Sequence, residues 1–288
     1  MPSSGPPRVS VIIPSLRADV ADVRASVAEQ RFADYDVRVV SGVRPAARAR
    51  NLGVAATTAE LLLFIDDDAQ MGHAEVLGRL VATLIGDPSI GVVGPSKLLS
   101  SRATALQHRI ADEVPGWTYP VTAGDVESNP PLDHYGFSGI TTTCCVMRRS
   151  TFEEVGGFDE RLPTGEDTEL FYRIRKAGYR FVIPHDTWVY HDPPRSLVAL
   201  ARKSFGYGRG HATEARLGPE RRMSVLPLHR WYGWLAVVAA PLFMGASLFV
   251  SIYLERSPRL RVGFRPTKAI SSYAAFYGYI YGWMRYGR

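Results

Sequence analysis

The chain is poor in cysteine: two residues among 288, Cys144 and Cys145, side by side. Adjacent cysteines seldom bridge each other, and one such pair builds no disulfide framework. No further ligands stand at zinc spacing, so the pair reads as two small apolar residues of a buried strand. An apolar leader is lacking too. Residues 1–7 are a short Pro/Ser/Gly lead, and the first apolar run, Val9–Ile13, is too short for a secretory signal. The N-terminal part is therefore expected in the cytoplasm. Internal repeats are missing, as is any low-complexity tract beyond that lead. Acidic residues are scarce in one region only. Up to Asp192 there are 19 Lys and Arg against 25 Asp and Glu, and from Pro193 there are 15 against 3. A total of +6 thus conceals −6 followed by +12. A non-specific nucleic-acid binder needs basic surface where it binds. Two acidic thirds exclude nucleic acid from the expected partners.

What is present begins with alternating strand and helix signals. Apolar runs at Val9–Ile13, Asp36–Val40, Leu61–Ile65 and Ile90–Gly94 predict strands. Between them, Asp19–Gln30, Pro45–Thr57 and His73–Ile85 have helical spacing. Continuous apolar strands separated by helices predict an α/β fold with a mostly parallel sheet covered on both faces. Such sheets bind ligands at the carboxyl ends of their strands, where Pro14-Ser15 and Asp66-Asp67-Asp68 fall. Ser96–Asp133 has scattered Pro, Gly and polar residues and no clear element pattern, and a loop over the site is a candidate there. Beyond it, strands are predicted at Gly139–Met147, Tyr179–Ile183 and Thr187–His191, and helices at Glu166–Ala177, Leu197–Arg209 and Lys268–Met284.

The aspartate triplet is the strongest chemical signal. Three carboxylates leaving a buried strand repel one another, and a hard divalent ion such as Mg2+ or Mn2+ relieves this. A helix cap is the plainer reading, but one Asp suffices for it. The second signal is Gly156-Gly157-Phe158-Asp159-Glu160, followed by Gly165-Glu166-Asp167 and Arg173. Acids at a helix start are often mere dipole partners. Beside a metal–phosphate site, one of them can instead deprotonate an acceptor hydroxyl.

These pieces, in this order from about Arg8 to Gly210, resemble the family 2 glycosyltransferases of the GT-A fold. The resemblance is carried by Val9–Ser15, Ala49-Arg50-Asn51-Leu52-Gly53, Phe64–Gln70, Arg148–Asp159, Gly165–Asp167, Gly178-Tyr179 and His191. It implies inverting transfer of a sugar from a nucleotide-diphosphate sugar donor to an acceptor hydroxyl. It implies that Asp66 and Asp68 form the D-x-D motif, with Gln70 and His191 near the metal, and that Asp167 is the general base with Glu166 beside it. Pro14, Ser15, Arg17, Asn51 and Asp67 would line the donor site. Relatives often carry acids after the second strand. Here Ser41-Gly42-Val43-Arg44-Pro45 has none, and Arg44 or Arg48 is placed toward the diphosphate instead. Arg209, in the basic and aromatic stretch Lys203–Gly210, is a further diphosphate candidate.

One segment points to a membrane. Trp231–Leu254 is 24 uncharged residues with aromatics at both ends. As a helix it would span about 36 Å, against about 30 Å of hydrocarbon. Pro241 and Gly245 are candidate kinks. Basic residues precede it (Arg216, Arg221, Arg222, Arg230) and also follow it (Arg256, Arg259, Arg261, Arg265), which conflicts with one simple crossing. The expected organisation is a catalytic domain over 1–215, with a nucleotide-sugar half at about 8–95, an acceptor half at about 96–192 and an interfacial helix at about 195–212. A membrane-associated region follows over 216–288, with an apolar helix at 231–254 and an aromatic helix at about 268–284. The expected acceptor is lipid-linked or a polysaccharide at the cytoplasmic membrane face, with membrane lipids as partners. Two alternatives are a polyprenyl-phosphate glycosyl synthase, which Gln70 favours, and an inactive sugar-binding or assembly subunit, which intact Asp66, Asp68 and Asp167 disfavour.

Overall fold

The computed structural model describes residues 8–16, 19–132, 139–217, 231, 233–235, 237–239, 248, 250–253 and 259–285. Arg17, Arg221, Arg222, Arg230, Pro241, Gly245 and Arg256 lie outside them. The chain forms two compact units: Met1–Ser101 with Thr118–Asp192, and Arg102–Trp117 with Pro193–Arg288.

In chain order the elements are β1 (Val9–Ser15), α1 (Ala21–Ala28), β2 (Tyr35–Ser41), α2 (Ala46–Ala55), β3 (Leu61–Ile65), β4 (Ala69–Met71), α3 (Val76–Gly86), β5 (Ile90–Val93), β6 (Ser96–Leu98), α4 (Ala105–Glu113) and β7 (Val126–Glu127). They continue with β8 (Cys144–Arg148), α5 (Arg149–Glu154), α6 (Glu166–Lys176), β9 (Arg180–Ile183), β10 (Trp188–His191), α7 (Leu197–Leu217), β11 (Val250–Tyr253), β12 (Arg259–Val262) and α8 (Pro266–Arg285).

The first unit is α/β, built on a seven-stranded sheet of order β2-β1-β3-β8-β5-β9-β7. β1 pairs parallel with β2 and β3, as the sequence pattern predicts. β8 is different. It enters between β3 and β5 and is antiparallel to both, so the sheet is mixed. All five β3 residues are buried, as are the first four of β8. A strand buried on both faces shows no alternation, and periodicity then says nothing of its direction. Two apolar layers cover the sheet. One gathers Val11, Ile13, Leu63, Leu77 and Leu80, the other Ile12, Leu62, Phe64, Phe152 and Phe158. Successive residues of β1 and β3 thus feed opposite layers, as the strand period of two requires. Cys144 and Cys145 are free and buried in β8, and burial raises both thiols above their usual range. A second sheet, β4-β10-β6, stands beside the carboxyl end of β3.

Within Ser96–Asp133 the described residues form three short elements, β6, α4 and β7, joined by loops. Thr104 caps α4 with a reciprocal bond to Gln107, a Thr-x-x-Gln capping box. The second unit packs α7 against α8. α7 runs on past the expected Arg209 to Leu217. The expected apolar helix at 231–254 is corrected at its end, where Val250–Tyr253 is a strand paired antiparallel with Arg259–Val262. Val, Ile and Tyr favour extended backbone, and Arg259–Val262 supplies the partner that a helix would not use. No described helix is long and apolar enough to cross a membrane.

Candidate active site

The site is built where β3 ends. Beyond Ile65 the chain turns at once: the Asp66 N–H donates to the Thr143 carbonyl at 3.1 Å, and the Ala69 N–H donates back to the Asp66 carbonyl at 3.1 Å. β4 then pairs antiparallel with β10, with His191 opposite Ala69, which carries the imidazole beside Asp68. Each of the three adjacent carboxylates meets a different partner. Asp66 accepts from Arg50 at 2.8 Å. Asp67 accepts from the Ser15 hydroxyl at the end of β1, at 2.6 Å. Asp68 lies 3.4 Å from His191 Nε2. Ligand atoms of Asp66, Asp68 and His191 all fall within 4.8 Å of one another, a spacing that admits one metal ion. Carboxylates suit Mg2+ or Mn2+, and an imidazole adds a softer donor.

Arg50 is the second centre. Its side chain is 4% exposed and its guanidinium bridges Asp66 and Glu166, the latter at 2.6 Å. It also lies 5.5 Å from the centroid of the Phe158 ring, which packs edge-on against Phe64. Burial works against the Arg50 charge, but Asp66, Glu166 and Asp167 outweigh it and hold its pKa above the ordinary value. Glu166 is buried, and its pKa is raised by that burial and by Asp167, against the opposing pull of Arg50.

Glu166 and Asp167 stand in the first turn of α6, where an N-terminal dipole favours negative charge. Gly165 before them has φ +84°, a left-handed backbone that explains glycine there. Glu166 is occupied by Arg50, while half-buried Asp167 accepts from the Thr168 N–H at 2.8 Å. One turn on, buried Glu169 holds Arg173 through two bonds of 2.8 and 2.6 Å. Arg173 in turn donates to the Val155 and Gly157 carbonyls and fixes the Gly156–Phe158 corner.

Other candidates are placed as follows. Pro14 is half-buried and Ser15 buried at the carboxyl end of β1. The Asn51 amide is engaged with the Phe158 backbone in both directions, at 3.0 and 3.1 Å, and with Glu160 at 2.9 Å. Arg44 and Arg48 are exposed at the start of α2. Gln70 is half-buried on β4, between Ala69 and Met71, which face the core. Arg209 belongs to the second unit, its guanidinium 5.9 Å from the Tyr281 ring.

A family model described as glycosyltransferase-like family 2 matches residues 4–207. The chain belongs to that family. This chain is 32% identical over 183 residues to the pre-mycofactocin glycosyltransferase of Mycobacterium tuberculosis, covering 61% of this chain and 36% of the relative. It is 34% identical over 139 residues to the succinoglycan biosynthesis protein ExoA of Rhizobium meliloti, covering 44% of this chain and 42% of that one. It therefore spans well under half the length of these curated relatives. The mannosyltransferase PcManGT of Pyrobaculum calidifontis, solved with GDP-Man and Mn2+, superposes with a TM-score of 0.54 at 18% identity, over 97% of this chain and 86% of that one. That likeness is one of fold.

Arg50 stands in the Ala49–Gly53 motif, but the sequence reading gave it no role. Exposed Arg44 and Arg48 attracted the diphosphate role, yet the buried cation of the cluster is Arg50. The signal was present. Ala47, Arg50 and Val54 are spaced three and four apart and form the buried face of α2, which Arg48 does not share.

Proposed function

We propose that this glycosyltransferase moves a sugar from a nucleotide-diphosphate sugar to a hydroxyl of a lipid-linked or polysaccharide acceptor, with inversion, at the cytoplasmic face of a membrane. The observation that carries the reading is the meeting of two acid systems at one place. Asp66, Asp68 and His191 offer a metal-sized set of donors, and Arg50 links that set to the start of α6, where Asp167 stands.

The donor atoms fit a hard divalent ion, Mg2+ or Mn2+, held by Asp68, Asp66 and His191. When bound, it would offset the charge that develops on the departing nucleoside diphosphate. The protein's own groups do the rest. Ser15 and Asp67 close the donor side. Arg50 fixes the orientation of Asp66 and Glu166. Asp167, the acid of the α6 pair that Arg50 does not bind, takes the acceptor proton as its oxygen attacks the anomeric carbon opposite the leaving group. One displacement inverts that centre without a covalent sugar–enzyme intermediate.

The test is a donor screen on membranes carrying the protein, with Mn2+, Mg2+ or chelator. Turnover of one nucleotide-sugar, lost on chelation and restored by one of the ions, is the expected result. No transfer or hydrolysis under any metal condition sinks the reading in favour of a non-catalytic sugar-binding subunit.

A further inference from the structure

The second unit packs its helices unusually closely. α7 and α8 run parallel in a fixed register: the Ser204 hydroxyl meets that of Ser271 at 2.9 Å, and Arg216 donates to the Trp283 carbonyl. Between these points Gly208 lies on the Ala275 backbone and Gly278 on the Phe205 backbone, so that a Cβ on either glycine would strike a carbonyl. Small residues that bring helix backbones together in this way are the packing mode of helices in lipid. The outer surface agrees with it. Of the 16 described large hydrophobic side chains that are exposed, 11 belong to this unit. On α8, Tyr277, Tyr281 and Met284 are exposed at spacings of four and three, which makes one apolar stripe. The guanidinium groups of Arg209 and Arg285 lie 5.9 and 5.7 Å from the Tyr281 ring, so cations edge that stripe.

The path of the uncharged stretch bears on how it meets lipid. Val237 packs against Ala212, Tyr279 and Ile280 in the α7–α8 cluster. Leu248 accepts from the Arg265 N–H at 2.7 Å, immediately before α8 begins. Both points of the stretch are therefore tied to the helix pair. The β11–β12 pairing, with Tyr253 opposite Arg259, then turns the chain back on itself.

We infer that the second unit is a one-sided platform on an anionic lipid surface: the α8 stripe and the uncharged stretch enter a single leaflet, and both flanking basic runs remain at the headgroups on the side of entry. This rests on the membrane placement proposed above and gives it a topology. It also accounts for basic residues on both sides of one apolar segment, which a crossing helix does not. The net +12 of residues 193–288 supplies the match to anionic headgroups.

The experiment is flotation of the full chain with phosphatidylcholine vesicles, with and without phosphatidylglycerol. Binding is expected to be about tenfold or more tighter with the anionic lipid and to weaken in high salt. Tyr277→Glu combined with Tyr281→Glu is expected to reduce that binding by about tenfold or more, at unchanged circular dichroism and unchanged turnover of a soluble nucleotide-sugar. Cysteines placed at Arg222 and at Arg256, one per variant, are both expected to react with a membrane-impermeant maleimide added outside sealed vesicles, without detergent. If either site needs detergent, the segment crosses and the inference falls. Equal binding to neutral and anionic vesicles, or full binding by the double Glu variant, overturns it as well. A protein that turns over nucleotide-sugar but floats with no vesicle removes the platform and leaves the proposed chemistry standing. One that floats as expected but turns over no donor does the reverse.

Discussion

In the first unit the costly groups are inside: Arg50 and Glu166 are buried, and each is matched by charge. In the second unit several large apolar side chains are outside, with Tyr277, Tyr281, Trp231 and Val238 exposed. Burying ions costs several kcal/mol each unless they are paired, and a fold keeps such an arrangement where it fixes geometry. Exposing large apolar surface is costly in water and suits a surface that something covers. The first unit thus buries paired charge at the candidate site, and the second shows large apolar side chains on its surface.

The largest effect should come from the aspartate turn. Asp68→Ala removes a carboxylate from the cluster with His191 and is expected to cut transfer by about a thousandfold or more, in the range of lost electrostatic stabilisation at a reacting phosphate. Mn2+ binding, followed by electron paramagnetic resonance, should weaken in parallel. The helix acid comes next. Asp167→Asn is expected to lower transfer by about 100- to 10,000-fold, the usual worth of a general base. Nucleoside diphosphate binding, measured by calorimetry, should be retained. Loss of binding in this variant would remove Asp167 from the role of base and return it to the donor site.

Arg50 sits where the two sets of acids meet and sharpens the comparison. Arg50→Met leaves Asp66 and buried Glu166 without their cation. Breaking a buried pair from one side costs about 3–5 kcal/mol. Chemical denaturation should show that loss, and Arg50→Met with Glu166→Gln should recover part of it. Additive losses in the double variant would show that the pair is not coupled.

Much of the first unit was legible because its signals are local. The apolar runs of β1, β3 and β5 name themselves, and three aspartates after a buried strand mark the turn where the Asp66, Asp68 and His191 donor atoms gather. The direction of β8 was not legible, because its buried residues do not alternate. The partners that divide the aspartates were partly hidden. Ser15, Arg50 and His191 lie 52, 16 and 123 positions from the residues they meet, and only the tertiary fold selects among the candidates. α4 carried a local signature, Thr104 and Gln107 as a capping box, inside a stretch whose Pro and Gly content drew attention to loops. In the second unit the absence of charge from 231 to 254 was equally consistent with helix and strand. The choice at Val250–Tyr253 was made by the partner strand Arg259–Val262.

The smallest expected effect belongs to a buried acid of the second unit. Glu113 on α4 is 5% exposed, and its Oε2 accepts from the Thr267 N–H at 2.8 Å and the Thr267 hydroxyl at 2.6 Å, at the start of α8. Its Oε1 accepts from Arg109 at 2.6 Å. Burial alone would raise this carboxyl, but the bonds from Arg109 and Thr267 outweigh it and the pKa is lowered. A carboxyl lowered in the folded state binds fewer protons there than when unfolded. Its stabilisation is therefore complete above the unfolded pKa and is lost as pH falls through the folded one. Glu113→Gln should destabilise the protein by about 1.5–3 kcal/mol at neutral pH, the worth of hydrogen bonds to a charged group. The gap between variant and wild type should close as the pH is lowered through that window. A gap that stays constant with pH would mean that Glu113 acts by packing and not as a charged cap on α8. The N-terminal end of α8 would then owe its position to the helix pair alone.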